Sequence, residues 1–346
     1  MKGGFGPLSF HRIRENKMNI ANVPVDGHTE TGEIAGNTEQ VHTPEPEGGV
    51  TFLNTREFED KLKADLDSYS AWRWSEPYRT RLGAAAIGGD CERALFFAHR
   101  HVKATVTDGQ KARLFQRGHR EEPFGIELLR GIGFTVHDKD ESGNQYGFQQ
   151  FGGHYAGRAD AVIIAPERYN LSGPILWSCK TAGTGQPFNK WNDDPVIKIN
   201  PLYWAQEQAL GFEMGIQYAL WMVTNKNDDS IQPRIEELKP EEGKKFREKA
   251  HRVIFLYDEN RTIPKAAGKA ITAKVCQLCN FKTVCHESAL SDKNCRSCHN
   301  CRPQSVSTND GKPAWFCDKH DAQIPADILP NGCHEYSPLL SNFTQE

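Results

Sequence analysis

Apolar residues recur three and four positions apart in several stretches of the chain, a spacing that puts them on one face of a helix. Leu62, Leu66 and Tyr69 mark the first such stripe. A second helix is predicted from about residue 90, with Leu95, Phe96 and Phe97 turned inward. A third is predicted over 111–130 on a stripe of Phe115, Gly118, Glu122, Ile126 and Leu129. Glu122 therefore lies on an otherwise apolar face, where a carboxylate needs a partner or a task. Its neighbour Glu121 is offset by about one-third of a turn.

Beyond Gly131 the pattern changes to strands at 134–137, 146–151, 154–164 and 175–181. Turn signals such as Ser142-Gly143-Asn144 and Ser172-Gly173-Pro174 separate them. Residues 201–214 read as a helix with Pro201 in its first turn. An apolar strand at 216–224, a polar turn at 225–229, a strand at 231–238 and a helix at 241–255 come next. The order predicts an α/β core, a mixed sheet flanked by helices. It lies between a disordered arm (1–50) and a cysteine-rich, metal-binding tail (291–346), so that the core domain spans 51–290. The stretch 181–200 reads as a loop beside the site.

Composition narrows the choices. Of 346 residues, 38% are hydrophobic and 25% charged, and the net charge is only -3, so no global basic field announces a nucleic-acid partner. Local clusters remain as candidates: Arg93 with His99, Arg100, His101 and Lys103, and the run 244–252. Each is otherwise a solvated helix face. The opening MKGGFGPLSFHRIRENK has no continuous apolar core, so no secretory leader is expected, and no apolar run reaches membrane-spanning length. Ten cysteines without an export signal point to metal ligation in a reducing cytoplasm rather than to disulfides.

Alternate residues of a strand share a face, so Ser178 and Lys180 point one way and Trp177 and Cys179 the other. Asp160 comes from the preceding strand of a hairpin; Glu122 and Gln206 come from helices. Carboxylates beside a lysine suit a hard divalent cation such as Mg²⁺, which activates water and stabilises charge on a phosphate. Asp160 and Glu122 would hold the ion, Lys180 would handle the nucleophile and Gln206 would orient a water or ligand. Trp191, Tyr203 and Trp204 either stack on unpaired bases or pack in the core.

The segments RGHREEP (117–123), GRAD (157–160), SCK (178–180) and WAQEQ (204–208) resemble the motifs of PD-(D/E)XK nucleases. The likeness is greatest to the RecB-like and lambda-exonuclease-like branch, which includes many phage proteins, and covers about 80–290. It implies a restriction-endonuclease-like fold and Mg²⁺- or Mn²⁺-dependent cleavage of DNA, commonly from a linear end, in recombination or DNA processing. A recombination or single-strand-binding partner would accompany it, in the host cytoplasm if the chain is phage-encoded. His119 resembles the metal-binding histidine of RecB-type sites. Ser178 stands where the family has an acid. Either the acid has moved to the following helix, with Glu207 nearest and Glu213 next, or the site is degenerate and binds DNA ends without cutting.

Cys276-x-x-Cys279 and Cys285, with Cys91 far upstream, resemble the iron–sulfur staple of AddB-type and CRISPR-associated RecB-like nucleases. The resemblance implies a four-iron four-sulfur cluster on these thiolates, which would suit Zn²⁺ as well. Farther on lie Cys295-x-x-Cys298-x-x-Cys301, Cys317-x-x-His320 and Cys333-His334. Paired knuckles of this kind read as a structural, zinc-ribbon-like site. Cys295, Cys298, Cys317 and Cys333 are the chosen Zn²⁺ ligands, with His320 and Cys301 as substitutes.

Overall fold

The computed structural model describes residues 54–74, 79–103, 107–183, 186–260, 272–287 and 289–339. The predicted arm at 1–50 lies outside them. The chain divides into two units, 1–53 and 54–346, and every described element belongs to the second.

Helix α1 (Thr55–Arg73) comes first, followed by β1 (Leu82–Gly83), α2 (Ala84–Ile87) and α3 (Glu92–His99). The long α4 (Gly109–Gly131) leads into β2 (Thr135–His137), β3 (Gly147–Gln150), β4 (Tyr155–Arg158), β5 (Ala161–Ile164) and β6 (Pro174–Ala182). Helices α5 (Gln186–Asp193), α6 (Val196–Ile199) and α7 (Pro201–Met214) cross to β7 (Tyr218–Asn225) and β8 (Ile231–Glu237). Next come α8 (Pro240–His251), a π-helical turn at Arg252–Leu256 and α9 (Tyr257–Asn260). Short helices α10 (Lys274–Gln277) and α11 (Lys282–His286) precede the tail strands β9 (Cys301–Ser307), β10 (Pro313–Cys317) and β11 (Ala322–Gln323).

The main sheet has the order β2-β5-β6-β7-β8. Only β6 and β7 pair in parallel, so the sheet is mixed, as predicted. Parallel neighbours need a crossover, and α5 to α7 supply it. Strand β6 alternates between two cores. Leu176 joins Trp221, Val223 and the α7 residues Ala205, Ala209 and Leu210 on one face. Ile175 and Trp177 join Met222 and Leu129 of α4 on the other. A Cβ built on Gly125 would come within 2.6 Å of the Trp177 ring and 2.7 Å of Met222, so only glycine lets α4 lie this close to the sheet. Helix α7 is capped by Asn200, whose side chain accepts from the backbone of Leu202 and Tyr203, and it stops at Gly215 with φ 68°. No described helix is long and apolar enough to cross a membrane.

Several expectations change. The stripe of α4 is buried at Leu129 but not at Phe115, which is exposed, as are Leu62, Leu66 and Tyr69 of α1. The periodicity located the helices; it did not say how much of each stripe has something to pack against. The predicted strand 154–164 breaks at Ala159 and Asp160. Its first half, β4, joins a small sheet with β1 and β3, and its second half, β5, joins the main sheet. The predicted loop 181–200 contains α5 and α6. The basic cluster Arg93, His99 and Arg100 is buried, so it is no solvent-facing DNA patch. In the other basic run, Lys244 pairs with Glu248, Lys245 with Glu242, Arg247 with Glu213 and Arg252 with Glu92.

The tail packs on the core through buried cations. Arg100 donates to the carbonyls of Arg296 (2.6 Å), Cys298 (2.8 Å) and Cys301 (2.8 Å) and pairs with Asp258 at 3.1 Å. Arg296 donates in return to the carbonyls of Arg79 and His99.

Candidate active site

The break before β5 has a chemical consequence. At that break Asp160 presents its Oδ2 to the backbone N–H of Cys179, which donates to it at 2.8 Å. The same oxygen lies 3.7 Å from Lys180 Nζ. Both side chains are largely buried, 18% and 12% exposed, so the pair meets in a medium that screens it little. Lys180 also sits 5.1 Å from the centre of the Tyr203 ring on α7. Burial pulls the lysine down, but Asp160 and Glu207 outweigh it and the ammonium is held above its ordinary value.

Glu207 lies four residues beyond Tyr203 and therefore on the same side of α7. It is 1% exposed. Burial pushes its carboxyl up to about 7, against the pull of Lys180, with Asp160 adding to the rise. Ser178 stands beside it and eases its charge, although neither Ser178 Oγ nor Glu207 Oε2 makes a hydrogen bond of full geometry. A buried acid with an open oxygen next to a buried ammonium is a group held ready for a ligand.

Glu122 approaches from α4. Burial raises its carboxyl, Asp160 raises it further, and His119 and Lys180 counter the rise. His119 is exposed and its Nδ1 lies 3.3 Å from Glu122 Oε1. Pro123 follows directly inside the helix and cannot donate, so the helical ladder is interrupted beside Glu122. Glu121 is half-buried and is felt electrostatically at Cys179, whose thiol burial pushes up to about 12.

Glu122, Asp160, Ser178, Lys180 and Glu207 thus come from three strand or strand-edge positions and two helices to one place. Gln206 is half-buried about 100° round α7 from Glu207. Glu213 is elsewhere, tied to Arg247 and to Gln150 Nε2 at 2.9 Å. Trp191 is buried in the core and Trp204 packs edge-on to Phe246. Sequence reasoning missed Tyr203 as a partner of Lys180, a role that only the packing of α7 on β6 creates. It also missed Arg81 and Arg158. Burial lowers Arg81, and the like charge of Arg158 adds to the effect. Neither has an acidic partner among the described residues.

The cysteines gather in two hollows. Cys91, Cys276, Cys279 and Cys285 line one of about 190 Å³. Burial raises the Cys279 thiol and the other three add to it, so the distant Cys91 is a near neighbour in space. Cys295, Cys298, Cys301, Cys317, His320 and Cys333 line another of about 260 Å³. Burial pushes Cys295 up to about 11, helped by Cys333, Cys298 and Cys317, and Cys333 Sγ lies 3.8 Å from His320 Nε2. Cys301 is buried against Arg100 and Arg296. Among the described residues no three His, Cys, Asp or Glu side chains are drawn together tightly enough to hold an ion as they stand.

No protein-family model matches the chain, and no curated protein matches it. Among solved structures it is similar to LHK-Exo in complex with dAMP, at 12% identity over 53% of this chain and 90% of that one, with a TM-score of 0.37. It is similar to SSO0001 at 12% identity over 67% of this chain and 99% of that one, again with a TM-score of 0.37. The alkaline exonuclease LHK-Exo from Laribacter hongkongensis gives 13% identity, 54% and 89% coverage and a TM-score of 0.34.

Proposed function

We propose that the chain is a Mg²⁺- or Mn²⁺-dependent deoxyribonuclease that hydrolyses DNA phosphodiesters, working from linear ends in recombination or DNA processing. The observation that carries this reading is the buried Asp160–Lys180 pair at 3.7 Å, with Glu122 and Glu207, from helices far apart in the chain, near enough to feel its charges. Burial, with the charge of Asp160 beside it, raises Glu122 and Glu207, and carboxyl groups of this kind are donors suited to a hard cation. When bound, the cation would lower the pKa of a coordinated water and offset charge on the phosphate. Asp160 is oriented for that role by the Cys179 N–H, and Glu122 by His119. Lys180, held protonated by its acidic neighbours, is placed to stabilise negative charge on the reacting phosphate. Glu207 supplies the carboxylate that Ser178 cannot, which favours a working enzyme over a degenerate one.

Both cysteine hollows belong to the same proposal. Four thiols at Cys91, Cys276, Cys279 and Cys285 fit an iron–sulfur cluster, and Cys295, Cys298, Cys317 and Cys333 with His320 fit Zn²⁺. Burial without a cation disfavours the thiolates, and a bound metal would reverse that. Anaerobic purification should yield a brown protein carrying zinc; a colourless protein with two zinc ions would replace the cluster by a second zinc site.

Incubating the pure protein with linear DNA and Mg²⁺ or Mn²⁺ tests the activity. Cleavage that Lys180→Ala and Asp160→Ala both abolish is the expected result. Binding without cleavage in either metal would leave a DNA-end-binding protein in its place.

A further inference from the structure

Lys180 is held by little for a residue so enclosed. Among the described residues its ammonium donates no hydrogen bond, and its ion pair with Asp160 is long, at 3.7 Å. The ammonium ends a flexible four-carbon stem, so a loose ion pair alone does not fix its place. Its other contact is the face of Tyr203. Nζ lies 5.1 Å from the ring centre, within the range over which the negative face of an aromatic ring attracts a cation.

The ring is itself well held. Tyr203 lies in the first turn of α7, where the Asn200 side chain accepts its backbone N–H, and it packs against the main core. Ala205, Ala209 and Leu210 of the same helix are buried. Glu207, one turn on, lies on the side of Tyr203, so successive turns of α7 bring a ring and a carboxyl to Lys180. Lys111 and Phe115 of α4 give the contrast. They meet at 5.9 Å, but both are exposed, and water weakens such a contact. Lys180 is largely buried, so its contact with Tyr203 is shielded.

We infer that Tyr203 is a positioning residue whose ring holds the Lys180 ammonium where charge develops on the reacting phosphate. The catalytic consequence rests on the nuclease reading. The aromatic face acts, not the phenol hydroxyl. Losing it should lower kcat and kcat/KM together, as for an interaction made in the transition state.

The test compares Tyr203→Phe, which keeps the ring, with Tyr203→Leu, which removes it; Tyr203→Met replaces the leucine variant if that one does not fold. With linear DNA and Mg²⁺, kcat should be about tenfold lower in Tyr203→Leu at unchanged KM, and Tyr203→Phe should restore it. A second readout needs no activity. In the full chain labelled with ¹³C-lysine, the Lys180 ε-methylene signal, assigned by its loss in Lys180→Arg, should lie upfield in the wild type and in Tyr203→Phe. In Tyr203→Leu it should return to the ordinary lysine position. If Tyr203→Phe behaves like Tyr203→Leu, the hydroxyl acts and the inference is wrong. If Tyr203→Leu keeps both the signal and kcat, or changes KM alone, the ring does not position Lys180, while the nuclease reading stands. If the wild type does not cut, the catalytic role falls with that reading, and a signal that still moves shows the ring holding the ammonium without it.

Discussion

Glu207 and Gln206 differ by one position on α7, and that position decides their chemistry. Glu207 shares a face with Tyr203 and meets Lys180 and Ser178; Gln206 is turned away from them by about 100°. Glu207→Gln keeps the volume and removes the charge. It should abolish cleavage as completely as Asp160→Asn, while Gln206→Ala should reduce it less; full activity in Glu207→Gln would remove that residue from the mechanism. At the same scale, His99 Nε2 lies 3.1 Å from His154 Nδ1, and His154 Nε2 lies 3.0 Å from the Ala314 carbonyl. Burial holds His154 down at about 3, and Arg296 and Arg100 add to it. Burial, then His154 and the same arginines, holds His99 well below its ordinary value of 6.5. Both stay neutral in the fold but protonate in the unfolded chain below about 6.5. Stability is therefore fully present above that pH and falls as pH drops toward 3, by at most about 1.4 kcal/mol per pH unit for each histidine. Urea midpoints over that window should show the slope, and His154→Gln should reduce it by about half.

Elements hold the site by close approach. Gly125 lets α4 lie on Trp177 and Met222, and Glu122 sits three residues, less than one turn, earlier on the same helix. Gly125→Ala should lift α4 from the sheet, cost about 1–3 kcal/mol and depress cleavage together with metal affinity. A lowered thermal midpoint with unchanged Mg²⁺ dependence of the rate would show that α4 does not position Glu122. The break between β4 and β5 works at the same scale. A strand running unbroken through Asp160 would fix its side chain to one face of the pleat, whereas the change of sheet turns the backbone so that its carboxylate accepts the Cys179 N–H and faces Lys180.

At the scale of the described molecule, the cysteine-rich tail and the core share one buried polar network. Arg100 reaches the carbonyls of Arg296, Cys298 and Cys301, and it pairs with Asp258, which Arg302 also holds at 3.2 Å. Removing the guanidinium would leave those carbonyls and part of the Asp258 charge unanswered. Arg100→Gln should destabilise the protein by about 3–5 kcal/mol and open the tail to limited proteolysis before the core. Simultaneous loss of tail and core in one urea transition, at the wild-type midpoint, would contradict that. The ring contact of Phe97 with Phe281, 5.7 Å apart and edge-on, likewise joins α3 to the Cys279–Cys285 segment and brings Cys91 beside it.

Amino-acid order alone determined what depends on local periodicity: the helices at 111–130 and 201–214, the strand that puts Ser178 and Lys180 on one face, and the ordered candidates Glu122, Asp160 and Lys180. Each arises from neighbours a few residues apart, whose geometry a helix or strand repeats. Tertiary structure decided which polar groups are neighbours. It buried the cluster around Arg100 that reads as a surface patch, gave Glu213 to Arg247 and brought Glu207 to Lys180. It also filled the predicted loop at 181–200 with α5 and α6. Burial and ion pairing depend on what packs from elsewhere in the chain, and no repeat along the sequence encodes that.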